Sequence, residues 1–515
     1  MIVVYHNENK VVELTSTYAF PLDKYSNLGL TEILLLLAKA YPETILVWCH
    51  IHLKEQLNVA AITQLLHHKK LLLSYNPSNV SFLDQNIGYV DASLFTQANK
   101  EVTFPTWQMS SAVGVVYAEV LLVLQKTIPL DANFDYFLCS LAKLSMPKGL
   151  LCYSEPRLLR QKTNFSPTQT NTYILFRFVK QHYKTRWIFL LLFNMLLYER
   201  NFLIVPFLSS LFYKNRSQLS ICLDSINVQS SRKVVDQTTV DVIIPTIGRK
   251  EYLKDVLKDF SKQTLLPKKI IIVEQNPAAG SSSELDYIQK EKWPFEIQLI
   301  FIHQAGACNA RNLALDQTQS EWVFLADDDI RIASSFIQKA FEKITDFGAK
   351  AVTMKCYQKG EKQSYTNVFQ WGTFGSGCSF VCAQSLRNCE FRMGYEFGFG
   401  EDGDFGMQMR HHGQDILYLP EPEILHLKAP IGGFRTKPIL QWQNDSIQPK
   451  PSPTIMLYQI LHNTTAQTNS YKTTLFLKYY KLQRIINPFL YYIHFQKQWR
   501  RSVFWANELK RQNEI

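Results

Sequence analysis

From Val240 onward, short and almost purely apolar runs alternate with segments of helical spacing. This alternation constrains the fold more than any other feature of the chain. Val240-Asp241-Val242-Ile243-Ile244 stops at Pro245-Thr246, and Lys269 to Glu274 stops at Asn276-Pro277. Ile297 to Ile302 and Glu321 to Ala326 follow as further strands, with helical spacing over Tyr252 to Phe260 and Ala307 to Leu315. Strands that are apolar on both faces must be covered on both faces. The pattern therefore predicts an α/β domain built on a mostly parallel sheet. In such sheets ligands sit beyond the carboxyl ends of the strands, so the polar motifs at those ends are where chemistry belongs.

Asp327-Asp328-Asp329 stands directly at the end of one apolar run. Adjacent carboxylates repel, and a hard divalent cation holding phosphate oxygens would relieve that repulsion. A solvated acidic turn ahead of Ser334-Ser335 explains the triplet equally well. Downstream, Phe399-Gly400-Glu401-Asp402-Gly403-Asp404 places a second carboxylate cluster where a helix opens, followed by Tyr418-Leu419-Pro420-Glu421 and by Ile424-Leu425-His426, a short β-like run ending in a histidine. A carboxylate crowded by others has its pKa raised toward working pH, which suits a general base. His426 is a candidate imidazole ligand completing a cation site, although an isolated histidine more often just satisfies a hydrogen bond.

The remainder of the chain sets the context. With 515 residues, 46% of them hydrophobic, there is material for about three domains, or two plus appendages, and disordered or collagen-like classes are excluded. Nine scattered cysteines form neither CxxC pairs nor a dense framework, so a reduced cytoplasmic protein is expected, and Met1 to His6 lacks the character of a signal peptide. Cys378 and Cys382 have helical i, i+4 spacing in Gly-rich apolar surroundings and read as buried thiols. The net charge of +11 is uneven: residues 166–232 carry eight Lys/Arg against two Asp/Glu, and residues 437–515 carry eleven against three. Arg177 to Tyr213 and Tyr471 to Trp505 combine those bases with Trp, Tyr and Phe. Such segments suit helices at a membrane surface as well as helices packed on their own domain, with packing slightly favoured. The apolar run Trp187 to Leu197 is shorter than the ~20 residues that span a bilayer.

Taken in order, the motifs from about 240 to 436 resemble the family 2 glycosyltransferases, inverting enzymes of the GT-A fold that use nucleotide-sugar donors. Val242 to Thr246 with Arg249 is similar to the opening strand and nucleotide loop, and Glu274 stands where the family has an aspartate near the base. Gly306 with Ala310-Arg311-Asn312 is similar to the helix before the DxD motif, Asp327 to Asp329 to the DxD motif itself, Glu401-Asp402 to the ED motif, and Pro420 to His426 to the strand that follows. Gln408 departs from the family's arginine, with Arg410 nearby.

The resemblance implies an α/β GT-A domain over 237–436 and a site in it. Asp402 would be the catalytic base. Pro245, Thr246, Arg249, Glu274, Arg311, Asp327 and Asp328 would hold the donor, and Asp327, Asp329 and His426 would hold a divalent cation, Mn2+ or Mg2+. Gly432-Gly433 would let a loop close over the donor. A UDP-sugar is the first candidate donor and a glycan or lipid-linked molecule the acceptor. The expected role is surface polysaccharide or glycoconjugate synthesis in the cytoplasm, with peripheral contact at the inner face of the membrane. Residues 1–165 read as an N-terminal α/β module, a degenerate GT-A-like one being one option. Residues 166–236 read as a basic aromatic helical linker, and 437–515 as a basic helical tail. The alternatives are an inactive GT-A-like glycan- or nucleotide-binding scaffold, or a nucleic-acid binder. The last lacks any recognisable binding module, so no nucleic-acid partner is expected.

Overall fold

Apolar β-branched runs bounded by Pro, Gly and polar residues become strands here because burial on both faces rewards them. The structure, a computed structural model, describes residues 1–16, 28–162, 165, 171–361, 365–430 and 438–513; Gly432 and Gly433 lie outside these. The chain forms two compact units, Met1–Arg232 with Asn463–Leu477, and Lys233–His462 with Lys478–Ile515.

In the first unit the strands are β1 (Ile2–Asn7), β2 (Lys10–Ser16), β3 (Ile45–His50), β4 (Leu71–Tyr75), β5 (Phe104–Pro105), β6 (Val113–Tyr117) and β7 (Leu151–Ser154). They form one sheet in the order β2-β1-β3-β6-β4-β7-β5. Helices Leu30–Ala40, Phe134–Ser145 and Thr172–His182 bury their apolar faces in its core.

The second unit holds β8 (Val240–Thr246), β9 (Lys269–Gln275), β10 (Glu296–Ile302), β11 (Trp322–Ala326), β12 (Ile330–Arg331), β13 (Ala351–Tyr357), β14 (Phe369–Gln370), β15 (Cys378–Cys382) and β16 (Leu417–His426). Their order is β10-β9-β8-β11-β15-β13-β16-β12, with β14 beside β16. Strands β10, β9, β8 and β11 are parallel, as their apolar character predicts, while β15 runs antiparallel to both β11 and β13. The sheet is therefore mixed. The Cys378–Cys382 pair belongs to a strand and not to a helix; Cys378 is buried and Cys382 half-buried.

The two sheets share one wiring. Strands β1, β3, β4, β5, β6 and β7 correspond in chain order to β8, β11, β13, β14, β15 and β16. Every shared pairing has the same sense: parallel for β1·β3 and β8·β11 and for β4·β7 and β13·β16, antiparallel for the rest. The units differ beside the first strand. The second unit inserts the parallel strands β9 and β10, where the first has the antiparallel β2.

Candidate active site

The convergence of distant motifs follows from register. Ala326 pairs with Cys378 across β11 and β15, so Asp327 emerges beside the Gly375-Ser376-Gly377 turn. Ile330 pairs with His426 across β12 and β16, which brings that histidine next to Asp329 from nearly a hundred residues away. Asp327, Asp329 and His426 each offer one ligand atom, all within 4.8 Å of one another. They line one cavity of about 460 Å³ together with Pro245, Thr246, Arg249, Arg311, Asp328 and Asp402.

Each carboxylate of the triplet has a different environment. Asp328 is buried and accepts hydrogen bonds from Thr246 Oγ1 at 2.7 Å and Arg249 Nη1 at 2.6 Å. It braces the loop after β8 against the end of β11, and burial pushes its pKa up to about 6. Asp329 accepts the Ala429 N–H on Oδ2 at 2.8 Å. Its buried Oδ1 meets no donor in hydrogen-bonding geometry and lies 3.2 Å from His426 Nε2. Burial works to raise the Asp329 pKa, but His426, the Ala429 N–H and Arg249 outweigh it and hold it below the usual carboxylate range. The same pairing raises His426 to about 9. Asp327 is the most open of the three, with Arg311 Nη2 at 3.4 Å. An under-satisfied carboxylate oxygen facing an imidazole and a second carboxylate is a donor set that fits a divalent cation of the Mn2+ or Mg2+ kind.

Helix Glu401–His411 opens at Gly400, whose φ of +114° favours glycine, and no side chain caps its first turn. Asp402 therefore does not act as the cap; its Oδ1 accepts the Ser376 N–H at 3.3 Å. Burial raises its pKa, partly offset by Arg311. Burial and the adjacent Asp402 raise Glu401 to about 7. Asp404 is removed from the cavity. It is buried and binds Arg392 Nη1 at 2.9 Å, Gln408 Nε2 at 2.7 Å and His462 Nε2 at 2.7 Å. Gln408, in the family's arginine position, thus serves this internal network, whereas Arg410 is fully buried and donates to the Thr373 carbonyl at 3.2 Å.

Glu274 is the sequence-derived donor residue that does not line the cavity; its carboxylate accepts the Glu284 N–H at 3.0 Å. Strand alternation turns the next residue, Gln275, inward, and its Oε1 accepts the Gly306 N–H at 2.6 Å. Several other lining residues escaped the sequence reading, Glu396, Cys356 and Gly377 among them. Glu396 accepts the N–H groups of Cys308 (3.2 Å) and Asn309 (2.9 Å), satisfying orphan donors where helix Ala307–Leu315 begins. Cys356 joins Cys378 on the wall. Gly377 faces Asp327 so closely that an added Cβ would stand 2.1–2.4 Å from that carboxylate. The Gly-Ser-Gly turn is visible in the sequence, but its partner is not.

An α/β sheet whose strand ends gather an acidic triplet, a histidine and a second carboxylate pair defines a domain of the GT-A class. Residues 241–390 match the family model "Glycosyl transferase family 2", and this region is a family 2 glycosyltransferase domain. The chain is 24% identical over 201 residues to the succinoglycan biosynthesis protein ExoM of Rhizobium meliloti, covering 35% of this chain and 64% of that protein. It is 25% identical over 107 residues to the GalNAc(5)-diNAcBac-PP-undecaprenol beta-1,3-glucosyltransferase of Campylobacter jejuni, covering 21% of this chain and 35% of that one. The chain thus spans less than two thirds of the length of either relative. Among solved structures, S. aureus TarS 1-349 in complex with UDP-GlcNAc matches at 16% identity and a TM-score of 0.36, covering 51% of this chain and 79% of that one.

Proposed function

We propose that the second unit is a metal-dependent inverting glycosyltransferase that moves a sugar from a nucleotide-sugar donor, a UDP-sugar in the first instance, to an acceptor hydroxyl. One observation carries the reading: a cation-competent Asp327, Asp329 and His426 set shares a cavity with a carboxylate pair of raised pKa. A Mn2+ or Mg2+ ion held there would neutralise charge on the donor diphosphate. Arg249 and Arg311, anchored on Asp328 and Asp327, add fixed positive charge on the same wall. Asp402 takes the proton from the acceptor hydroxyl as its oxygen bonds to the anomeric carbon, and the bond from that carbon to the diphosphate breaks on the opposite face. The Ser376 N–H orients the Asp402 carboxylate in the cavity.

The acceptor fits a glycan or lipid-linked glycan in surface polysaccharide or glycoconjugate synthesis, at the inner face of a membrane. ExoM and the Campylobacter enzyme, named for succinoglycan biosynthesis and for an undecaprenol-linked glycan, support that class. We read the first unit as a degenerate GT-A-like module. By register, Ser111 stands where Ser376 does, and its N–H is accepted by Asp135 at 2.7 Å as that of Ser376 is by Asp402. The positions of the acidic triplet are taken by His50, Ile51 and His52, none of them a carboxylate.

Calorimetry with Mn2+ and UDP tests the cation site. Asp329→Ala and His426→Ala should each weaken nucleotide-linked Mn2+ binding by ~10-fold or more, and unchanged binding in both would sink the assignment.

A further inference from the structure

Helix Arg186–Glu199 is apolar around its whole circumference, and such a helix ordinarily lies inside a core. Here only one face does. Ile188, Leu191 and Met195 are buried, while Phe189 and Phe193 on the opposite face are 54% and 47% exposed and Leu197 is 53% exposed. The face continues into the following helix, Ile204–Ser210, with Val205 at 63%, Leu208 at 50%, and Phe212 just beyond at 89%. An outward apolar surface of this extent marks an interaction site. Its rim is cationic: Lys184, Arg186, Arg200 and Lys214 are all exposed. The one acid within these two helices, Glu199, accepts a hydrogen bond from Tyr89.

We infer that this face is where the protein docks on the surface of an anionic lipid bilayer, lying in the interface without crossing it. The inference deepens the peripheral location proposed above by naming the surface that makes the contact. Aromatic and aliphatic side chains ringed by lysine and arginine match the acyl boundary and the anionic headgroups together. No described helix is long and apolar enough to cross a membrane. A second copy of the chain is a poorer occupant, because a self-complementary interface would bring like-charged rims together. The second unit carries the same signature independently. Leu482, Ile486, Phe489 and Leu490 are 70%, 88%, 78% and 59% exposed, beside exposed Lys481 and Arg484.

Co-sedimentation of the full chain with phosphatidylcholine vesicles, with and without phosphatidylglycerol, provides the test. The full chain should pellet with the anionic vesicles and be released by salt. The combined variant Phe193→Ser, Leu197→Ser, Phe212→Ser should lose at least ~10-fold in apparent affinity with an unchanged thermal midpoint, since its side chains face solvent. Lys184→Gln, Arg200→Gln and Lys214→Gln should each cost ~fivefold and flatten the salt dependence. Transfer to a soluble acceptor should be unchanged in all of these variants, so a failure here is distinguishable from a failure of the transferase reading. Full-chain binding that survives both sets of substitutions overturns the inference while leaving a peripheral location by another surface. A full chain that ignores vesicles but self-associates, and becomes monomeric in the serine variant, assigns the face to a second copy and overturns it as well.

Discussion

Gly377 shows how tightly the proposed cation site is drawn. A methyl group at this position would occupy the space of the Asp327 carboxylate, which can swing away without disturbing the strand beneath it. Gly377→Ala should therefore leave the melting temperature nearly unchanged while weakening Mn2+ binding by ~10-fold or more, as measured by calorimetry. Full-strength binding would show that Asp327 is not a ligand. At this scale the sequence was informative where a residue's chemistry is its role: Asp327, Asp329, Asp402 and His426 are legible as acids and an imidazole at strand and helix ends. It was silent where the role is a relation. Nothing local in Gly377 or Glu396 says which carboxylate or helix terminus it faces, and Glu274 and Gln275 differ only in which side of β9 they take.

At the scale of elements, apolar runs identified β8, β9, β10 and β11 because both faces of each must be covered. Such runs carry no strand direction, so the antiparallel β15 and the resulting mixed sheet were not legible, and Cys378–Cys382 mimicked helical spacing. Helix Thr172–His182 supplies a test of the first unit. The buried His182 donates from Nδ1 to the Phe178 carbonyl at 2.9 Å, so its Nε2 accepts from Ser140 Oγ at 2.7 Å, and that hydroxyl in turn accepts from Arg216 Nη1 at 3.1 Å. Burial first, and Arg216 among the nearby cations, depress its pKa to about 3. Below about pH 6.5 the unfolded chain binds a proton that the folded chain refuses, so stability falls as pH drops from there toward 3. His182 alone should account for ~2 kcal/mol lost at pH 5, read from denaturant midpoints of the first unit. His182→Gln should flatten that slope, and an unaltered slope would place the titration elsewhere.

For the whole molecule, the shared wiring of the two sheets is the property that the sequence conceals most completely. Topology survives when pairing and burial survive, and β1 and β8 keep those with different residues; the second unit alone holds the inserted strands and the acidic triplet. Asp135 and Asp402 occupy matching positions, yet only Asp402 stands in a cavity with the carboxylate and histidine set. Asp135→Asn should cost ~1–3 kcal/mol of stability through its bonds to Ser111 and leave the rate of sugar transfer by the folded protein unchanged. A transfer rate that collapses at constant stability would give the first unit a catalytic role. The central claim, that the second unit transfers a sugar with Asp402 as base, is tested most directly by Asp402→Asn assayed for donor binding and single-turnover transfer side by side. Asparagine keeps the size and can still accept the Ser376 N–H, so donor and Mn2+ affinity should persist while the transfer rate falls by ~10²–10⁴-fold. A variant that transfers sugar at the native rate would contradict the account.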